Sequence, residues 1–511
     1  MAMDPVYAAL LPLFILTGAG AILPLLGAFK VRAGWLAGLA AVAILAAGLA
    51  SVGMLWEIPW LAGQLPQVGN GAAAVRSFGL LETTPFAILF NLVFLAVALM
   101  VALASPRYLE RRHQGEFYSL ILLSTVGMMV VAMSRDLLTL FVGLELSSFC
   151  TYALAGFFKR RVDSSEAAMK YFLVGSISSS LALFGISIVY GLTGSTTFES
   201  LNALWSVPVQ DGNFGTVLME GRSIPAVFAW VLLLAGFGYK IAMVPFHNYA
   251  VDVYEGSPST VGGFLAAGSK QMGFAALFKV FLLGLLAVKA NWDVMVGVLA
   301  IATMVVGNVV ALSQTNIKRM LAYSSIAQAG YILMALAIGT DYALAGGLFH
   351  IVTYSFMKAG AFVALAAAAT WGVGEELSDW KGMSRRAPLL AFAMAAFMLS
   401  FAGIPPLAGF ASKFVLFSGA ISAGGWYVAL AVAGIVTSAV SLVYYWRVVR
   451  VMYVEESDGR RLAVSSSAWA AVLVALAGTI LLGIFPEFAV SLSREAAQSL
   501  LPAAVTAATG G

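Results

Sequence analysis

The chain has 511 residues, of which 61% are hydrophobic and only 10% are charged. A soluble globular domain has roughly 25% charged residues, so the composition excludes a soluble protein and predicts an all-α polytopic membrane protein. The formal net charge of +4 gives no sign of a nucleic-acid partner. We expect the lipid bilayer to surround the chain.

Cofactor-binding patterns are missing from the sequence. Cys150 is the single cysteine, and the histidines His113, His247 and His350 are widely separated. No CxxC pair, glycine-rich phosphate loop or bis-histidine haem pair is present. We therefore expect this chain to bind no metal, iron–sulfur cluster, haem or nucleotide, and to carry no electrons itself.

Hydropathy predicts about fourteen transmembrane helices. The first has no basic segment before it, so we interpret it as a retained span rather than a cleaved signal peptide. The predicted helices are 5–27, 34–55, 84–104, 116–133, 136–157, 167–193, 224–255, 259–287, 292–312, 316–338, 342–370, 387–420, 425–452 and 467–491.

The distribution of basic residues between loops supports this helix count. Alternate loops on one side carry seventeen of the 28 Lys and Arg residues, those on the other side carry five, and six lysines lie within helices. Basic loops face the cytoplasm. We therefore predict a multi-pass protein of the plasma or inner membrane, with its basic loops in the cytoplasm and both termini outside.

Two of the predicted helices are interrupted by proline. The seventh breaks at Met243–His247 and the twelfth at Gly403–Pro406. Broken helices at membrane depth persist only when they are buried in protein or line a wet cavity. The two breaks fall at matching positions if helices 4–8 and 9–13 are two five-helix repeats. Because each repeat then has an odd number of spans, one copy is inverted relative to the other. The predicted regions are 1–115 (three N-terminal helices), 116–287 (first repeat), 292–452 (second repeat) and 453–511 (last helix and tail).

Seven charged residues lie inside the apolar helices. A charged side chain at bilayer depth costs free energy, so each such residue is by default a candidate functional residue. The seven are Lys170, Lys240, Lys270, Lys279, Lys358, Lys413 and Glu145.

Glu145 lies about midway along its helix and needs a cationic partner, for which Lys240 is the candidate. A static pair that fixes helix packing is the alternative. Lys270 follows several small residues and has no acid near it in sequence, so we interpret it as a proton carrier. Lys413 follows the second break, where a relay role is favoured over snorkelling to the interface.

The histidines His247 and His350 are weaker candidates. A neutral imidazole both donates and accepts hydrogen bonds, so His247 is a candidate bridge between Lys240 and Lys270, or else a packing residue of the broken backbone. His350 and Lys358 are eight residues apart on one helix face, which favours a relay slightly over a structural pair. The roles of Lys170 and Lys279 stay open, with snorkelling to an interface as one alternative.

The motifs around these residues resemble the antiporter-like membrane subunits of complex I, and among them the subunit N family of NADH-quinone oxidoreductases and its archaeal counterparts. The match covers predicted helices 4–13. The motifs that carry it are Phe141–Gly156 with Glu145, Tyr239–His247, Asp252–Gly256, Ser269-Lys270, Ala311–Arg319, Tyr323–Ser325, and Leu399–Pro405 with Gly409 and Lys413.

The resemblance implies a non-redox membrane-arm subunit of a proton-translocating oxidoreductase, next to sister antiporter-like subunits. NAD, quinone and iron–sulfur clusters would then belong to other subunits. It also implies that Glu145 and Lys240 are a coupled pair, Lys270 the central carrier, Lys413 the exit-side lysine and His247 a linker. The electron donor (NADH, a reduced deazaflavin or ferredoxin) stays open. Two rivals are a subunit of a Mrp-type sodium/proton antiporter and a membrane scaffold whose charges only specify packing.

Overall fold

A computed structural model describes residues 5–55, 67–68, 75–109, 113–205, 223–457 and 459–501. These residues form long helices joined by short loops. In chain order the α-helices are α1 (Pro5–Ala28), α2 (Ala33–Leu55), α3 (Pro85–Ala104), α4 (Gln114–Met133), α5 (Leu137–Ala155), α6 (Val162–Thr193), α7 (Phe198–Trp205), α8 (Ser223–Lys240), α9 (Asn248–Gly256), α10 (Ser259–Phe264), α11 (Lys270–Phe278), α12 (Lys289–Ser313), α13 (Ile317–Ile338), α14 (Asp341–Ala369), α15 (Met383–Arg386), α16 (Pro388–Ala402), α17 (Ala408–Ala423), α18 (Tyr427–Tyr453), α19 (Ser466–Ile484) and α20 (Glu487–Gln498).

Several of these helices begin at a polar side chain that caps the backbone. Asp136 accepts hydrogen bonds from the amides of Leu138 and Thr139 at the start of α5. Asn316 and Thr340 cap α13 and α14 in the same way. Because the first amides of a helix have no partner within it, these caps fix where the helices start next to the apolar layer.

The predicted fold class, an all-α polytopic membrane protein, is confirmed. Within the described ranges, eleven helices are long and apolar enough to cross a bilayer, and three shorter apolar helices (Ile224–Lys240, Pro388–Ala402 and Ala408–Ala423) accompany them. The count of fourteen spans and the division into two inverted repeats stay predictions. The most deeply buried spans are α13 and α14, which form the centre of the molecule.

Both helix breaks occur where the prolines predict them. The first separates α8 from α9 directly after Lys240, and the second separates α16 from α17. Gly403 ends α16 in the left-handed region, with φ of +86°, a conformation that glycine adopts without steric cost. The freed backbone is partly satisfied by side chains, since Val244 donates its amide to Thr303 Oγ1 and Gly409 donates its amide to Ser400 Oγ.

The predicted helix 259–287 contains two π-helical turns that hydropathy does not reveal. Residues Leu265–Ser269 form the first, immediately before Lys270, and Lys279–Gly284 form the second. A π-turn widens the helix locally and is often found at a functional site. Lys270 and Lys279 therefore each lie at the boundary of an irregular turn.

Three further details differ from the sequence-based expectations. The last predicted helix, 467–491, is two helices, α19 and α20, because Pro486 interrupts it. Helix α6 begins at Val162 rather than at residue 167, because a polar first turn containing Asp163 extends it into the basic loop. A short antiparallel ribbon, formed by Gln67–Val68, Val75–Phe78 and Leu81–Thr83, precedes α3. The residues at both ends of the chain, 1–4 and 502–511, lie outside the described residues.

Gly409 provides a test of the second break. A Cβ atom at this position would overlap the backbone carbonyl oxygen of Ser400, which cannot move aside cheaply. We expect Gly409→Ala to lower the free energy of unfolding by about 1–3 kcal/mol, the usual range for overpacking. Thermal unfolding in detergent micelles measures this change. The control is Gly38→Ala, because a Cβ on Gly38 in α2 meets nothing within 4 Å; equal melting temperatures for the two variants would contradict the prediction.

Candidate functional site

The six intramembrane lysines fall into two groups according to their partners. Lys170 and Lys279 form ion pairs with carboxylates. The other four have no carboxylate oxygen of any described residue within 4.0 Å, although their exposed fractions are at most 4%. These four, which we call the unpaired lysines, are Lys240, Lys270, Lys358 and Lys413.

Glu145 and Lys240 do not form the direct ion pair that the sequence analysis expects. The Glu145 carboxylate accepts a hydrogen bond of 2.5 Å from Ser179 in α6 and is only half-buried. Lys240 is buried and donates to Ser148 Oγ at 2.8 Å and to the Tyr171 hydroxyl at 3.3 Å. Ser148, which accepts from Lys240, is three residues after Glu145 and lies on the same face of α5.

His247 is not a direct bridge between Lys240 and Lys270 in this structure. None of the hydrogen bonds among the described residues joins its ring to either lysine, and its Nδ1 atom is buried without a partner. The helices that carry the two lysines do approach closely, because Gly273 has no side chain. A Cβ on Gly273 would lie 3.1 Å from Lys240 Cβ.

Two consecutive serines of α13 bind Lys270 and Lys358. Lys270 donates to the hydroxyl of Ser325 at 2.6 Å and to its carbonyl at 3.1 Å. Lys358 donates to the hydroxyl of Ser324 at 2.9 Å. Tyr354, one turn before Lys358, also donates to Ser325 Oγ at 2.8 Å. The hydroxyl-bearing face of α13 therefore holds both ammonium groups.

His350 connects the centre of the molecule with the second break. Its ring nitrogens lie 2.9 Å from Gln328 Oε1 of α13 and 2.9 Å from Ser412 Oγ of α17. Ser412 precedes Lys413, which donates to Ser438 Oγ at 2.9 Å and to the carbonyl of Phe401 at 2.6 Å. Helix α16 ends one residue after Phe401, so that the break itself supplies an acceptor for the lysine.

Aromatic rings surround the unpaired lysines. Lys358 Nζ lies 4.4 Å from the ring centroid of Phe401, and Lys413 Nζ lies 4.9 Å from that of Tyr331. Lys240 lies 5.3 Å from the Tyr171 ring. The negative face of an aromatic ring attracts a cation, so these contacts stabilise each lysine without supplying a full opposing charge.

Lys170 and Lys279 both pair with carboxylates, Lys170 at an exposed site and Lys279 at a buried one. Lys170 Nζ lies 2.7 Å from Glu166 and 2.6 Å from Asp252. Lys279 is 1% exposed and lies 2.9 Å from Glu82, while it also donates to the carbonyl of Ser134. Glu166 is four residues before Lys170 on α6, a spacing that helix periodicity does indicate. Asp252 and Glu82 are 82 and 197 residues from their lysines, so periodicity could not predict these two pairs.

The hydroxyl groups between the lysines are the site residues that the sequence analysis did not single out as functional. Ser148, Ser324, Ser325 and Ser412 are buried within helices. Buried serines are common in closely packed membrane helices, which made them unremarkable in the sequence. The Tyr323–Ser325 motif was the available signal, since it places two adjacent serines on the most central helix.

Broken helices and buried, unpaired lysines define a polytopic membrane protein with a charged interior. The family model described as NADH:quinone oxidoreductase/Mrp antiporter, TM matches residues 134–441, which include both breaks and all four unpaired lysines. The chain belongs to this family, and the resemblance found in its motifs is confirmed.

Relatives in archaea and bacteria are similar over most of the chain. F(420)H(2) dehydrogenase subunit N of Methanosarcina mazei is 47% identical, over 86% of this chain and 93% of the relative. NADH-quinone oxidoreductase subunit N of Trichlorobacter lovleyi is 41% identical, over 84% and 88%. A chain of respiratory complex I from Thermus thermophilus has a TM-score of 0.75 and 32% identity, over 94% and 98%.

The Lys279–Glu82 pair predicts a large effect on stability. Replacing one member of a buried ion pair leaves the other unpaired and costs about 3–5 kcal/mol, so we expect Glu82→Ala to lower the melting temperature strongly. Glu199→Ala is the matched control, because both carboxylates lie within 4.0 Å of Arg135, but Glu199 is 86% exposed. An exposed pair contributes about 1 kcal/mol or less. Melting temperatures of the two variants that agree within error would contradict the prediction.

Proposed function

We propose that this chain is a proton-translocating membrane-arm subunit of a redox-driven pump. Protons move along Glu145, Lys240, His247, Lys270, Lys358, His350 and Lys413. The observation that carries the proposal is the set of four buried lysines without a carboxylate partner. Such groups are costly to fold, and titratable groups held in this way cluster at functional sites.

The hydrogen bonds of the site support proton transfer between the lysines. A hydroxyl group both donates and accepts, so Ser324 and Ser325 can receive a proton on one side while releasing another. The neutral imidazole of His350 has the same capacity between Gln328 and Ser412. Water completes the path where no direct contact exists, as between Lys240 and Lys270, where the orphaned Nδ1 of His247 is available to a water molecule.

Electrostatic repulsion supplies the driving force in this proposal. Packed helices are about 8–10 Å apart, and two like charges at that separation repel by about 2 kcal/mol at an effective dielectric near 20. Moving one charge against a membrane potential requires about 2.3 kcal/mol per 100 mV. The repulsion from one charged lysine is therefore comparable to the energy needed to move a charge against the membrane potential. Charging one lysine can thus displace the proton of its neighbour.

The chain would work as one member of a larger assembly. We propose that the redox reaction, with its NAD, quinone and iron–sulfur clusters, takes place in other subunits, and that sister antiporter-like subunits lie beside this one. The names of the similar proteins as subunits N support this arrangement. The proposed orientation places the basic loops in the cytoplasm, and wet half-channels at the two helix breaks reach the two faces.

Lys270 provides the main test of the proposal. Lys270→Met keeps a side chain of similar length without a proton to exchange, and we expect it to abolish proton transfer in the reconstituted complex. Fluorescence quenching of a pH-sensitive dye during turnover in sealed vesicles measures this transfer. The matched control is Lys381→Met, because Lys381 is 47% exposed and pairs with Glu455 in a loop. A Lys270 variant with full pumping stoichiometry would refute the proposal.

The same vesicles separate the two rival functions. Sodium-dependent proton exchange in the absence of any electron donor would favour a Mrp-type antiporter. If Lys270→Met and Glu145→Gln change only assembly or thermal stability, while turnover and pumping stay intact, the buried charges are structural and the chain is a scaffold. Copurifying iron–sulfur subunits would support the redox-driven assignment.

Ser325 provides a graded test of the relay. Ser325→Ala removes the hydroxyl that accepts from both Lys270 and Tyr354. A hydrogen bond to a charged group contributes about 1.5–3 kcal/mol, and about 1.4 kcal/mol corresponds to tenfold in rate, so we expect proton transfer to slow by about tenfold or more. Ser180→Ala is the control, because that hydroxyl is exposed and bonds only within its own helix. Equal pumping rates in the two variants would argue against a hydroxyl relay.

A further inference from the structure

Two cavities meet at the ion pair between Lys170 and Asp252. The first has a volume of about 330 Å³ and is lined by charged residues of the basic-loop side, among them Arg161 and Arg319. The second has a volume of about 400 Å³ and extends along α6 to Pro245 in the first helix break. Lys170 and Asp252 line both cavities, so the pair lies in the wall between the charged surface and the break.

The pair is accessible to water, and each of its members has a second partner of opposite charge. Lys170 and Asp252 have exposed fractions of 42% and 39%, and their charged atoms are 2.6 Å apart. Lys170 has a second carboxylate, Glu166, at 2.7 Å, and Asp252 has a second cation, Arg319, at 3.6 Å. Because Glu166 remains bonded to Lys170, protonation of Asp252 would not leave the ammonium group without a partner.

A chain of tyrosines leads from Asp252 towards Lys240. Tyr249 is one turn before Asp252 on α9 and donates its hydroxyl to the carbonyl of Tyr239 at 2.9 Å. Tyr239 precedes Lys240 and donates to the carbonyl of Tyr171 at 3.1 Å. The Tyr171 hydroxyl accepts the hydrogen bond from Lys240. The rings of Tyr171 and Tyr249 stack 5.7 Å apart, so the segment from Asp252 to Lys240 is one packed unit.

We infer that Asp252 is the proton-uptake site of this subunit, at which a hydrated proton from the basic-loop side binds before it reaches Lys240. This inference rests on the proposed function and deepens it, because the four unpaired lysines have no contact with that surface of their own. Lys170 and Arg319 act as positioning residues. They hold the Asp252 carboxylate at the junction of the two cavities, and protonation of the carboxylate weakens its bond to Lys170 and opens the way to the break.

The alternative is that the Lys170–Asp252 pair only ties α6 to α9. A structural tie would affect stability but not the number of protons moved per electron pair. An uptake site would affect that number directly, because electron transfer in other subunits can continue while protons fail to enter. The ratio of protons to electrons is therefore the decisive measurement.

The experiment uses the intact complex in sealed membrane vesicles. We expect Asp252→Asn to lower the proton-to-electron ratio clearly, and Asp252→Glu, which keeps a carboxyl group, to restore it. Asp163→Asn is the matched control, because Asp163 lines the same charged cavity but pairs with Arg161 at 2.8 Å, away from the tyrosine chain. A normal ratio in Asp252→Asn, or an equal loss in Asp163→Asn, would overturn the inference.

A second variant keeps the test decisive if Asp252→Asn assembles poorly. The double variant Lys170→Gln, Asp252→Asn removes both charges and leaves no unpaired ammonium. We expect it to assemble and still to show the lowered ratio, whereas a restored ratio would mean that the pair is a structural tie. Lys270→Met in the same vesicles separates the two proposals. A normal ratio in the Asp252 variants alone overturns the inference and leaves the proposed function intact. A normal ratio in Lys270→Met refutes the proposed function itself.

Discussion

The cost of holding an ammonium group in a low-dielectric interior governs the organisation of this molecule. Four buried lysines without carboxylate partners are stabilised by hydroxyls, carbonyls and aromatic rings, each of which offers less than a full opposing charge. Each ammonium is therefore held without being neutralised.

The helix breaks follow from the same constraint. The carbonyls in the last turn of a helix have no partner within that helix, so a helix that ends inside the apolar layer offers free acceptors to a lysine. The break after Ala402 frees the carbonyl of Phe401, which accepts from Lys413, and the break after Lys240 allows the tyrosines of α8 and α9 to bond across it. The prolines that interrupt the helices therefore also create polar backbone surface next to the buried charges.

Sequence reasoning found the class of fold, both breaks and the buried lysines, because hydropathy and proline placement are local signals. It did not find the partners. Glu145 bonds to Ser179 rather than to Lys240. Asp252 and Glu82, which pair with Lys170 and Lys279, lie 82 and 197 residues away in sequence. Rotation of one helix against another decides such contacts, and a rotation of one residue moves a side chain by about 100° around the helix.

The choice of lysine over arginine at the four unpaired positions argues for exchangeable protons. Arginines outnumber lysines in the chain, seventeen to eleven, yet among the described residues every buried cation without a carboxylate partner is a lysine. A guanidinium has five donors and would bond the same serines and carbonyls more extensively, but it stays charged under physiological conditions. An ammonium group can lose its proton when it is desolvated. If these residues served only packing, arginine would hold the helices together at least as well; the consistent use of lysine instead fits a path on which each group alternates between its charged and neutral forms.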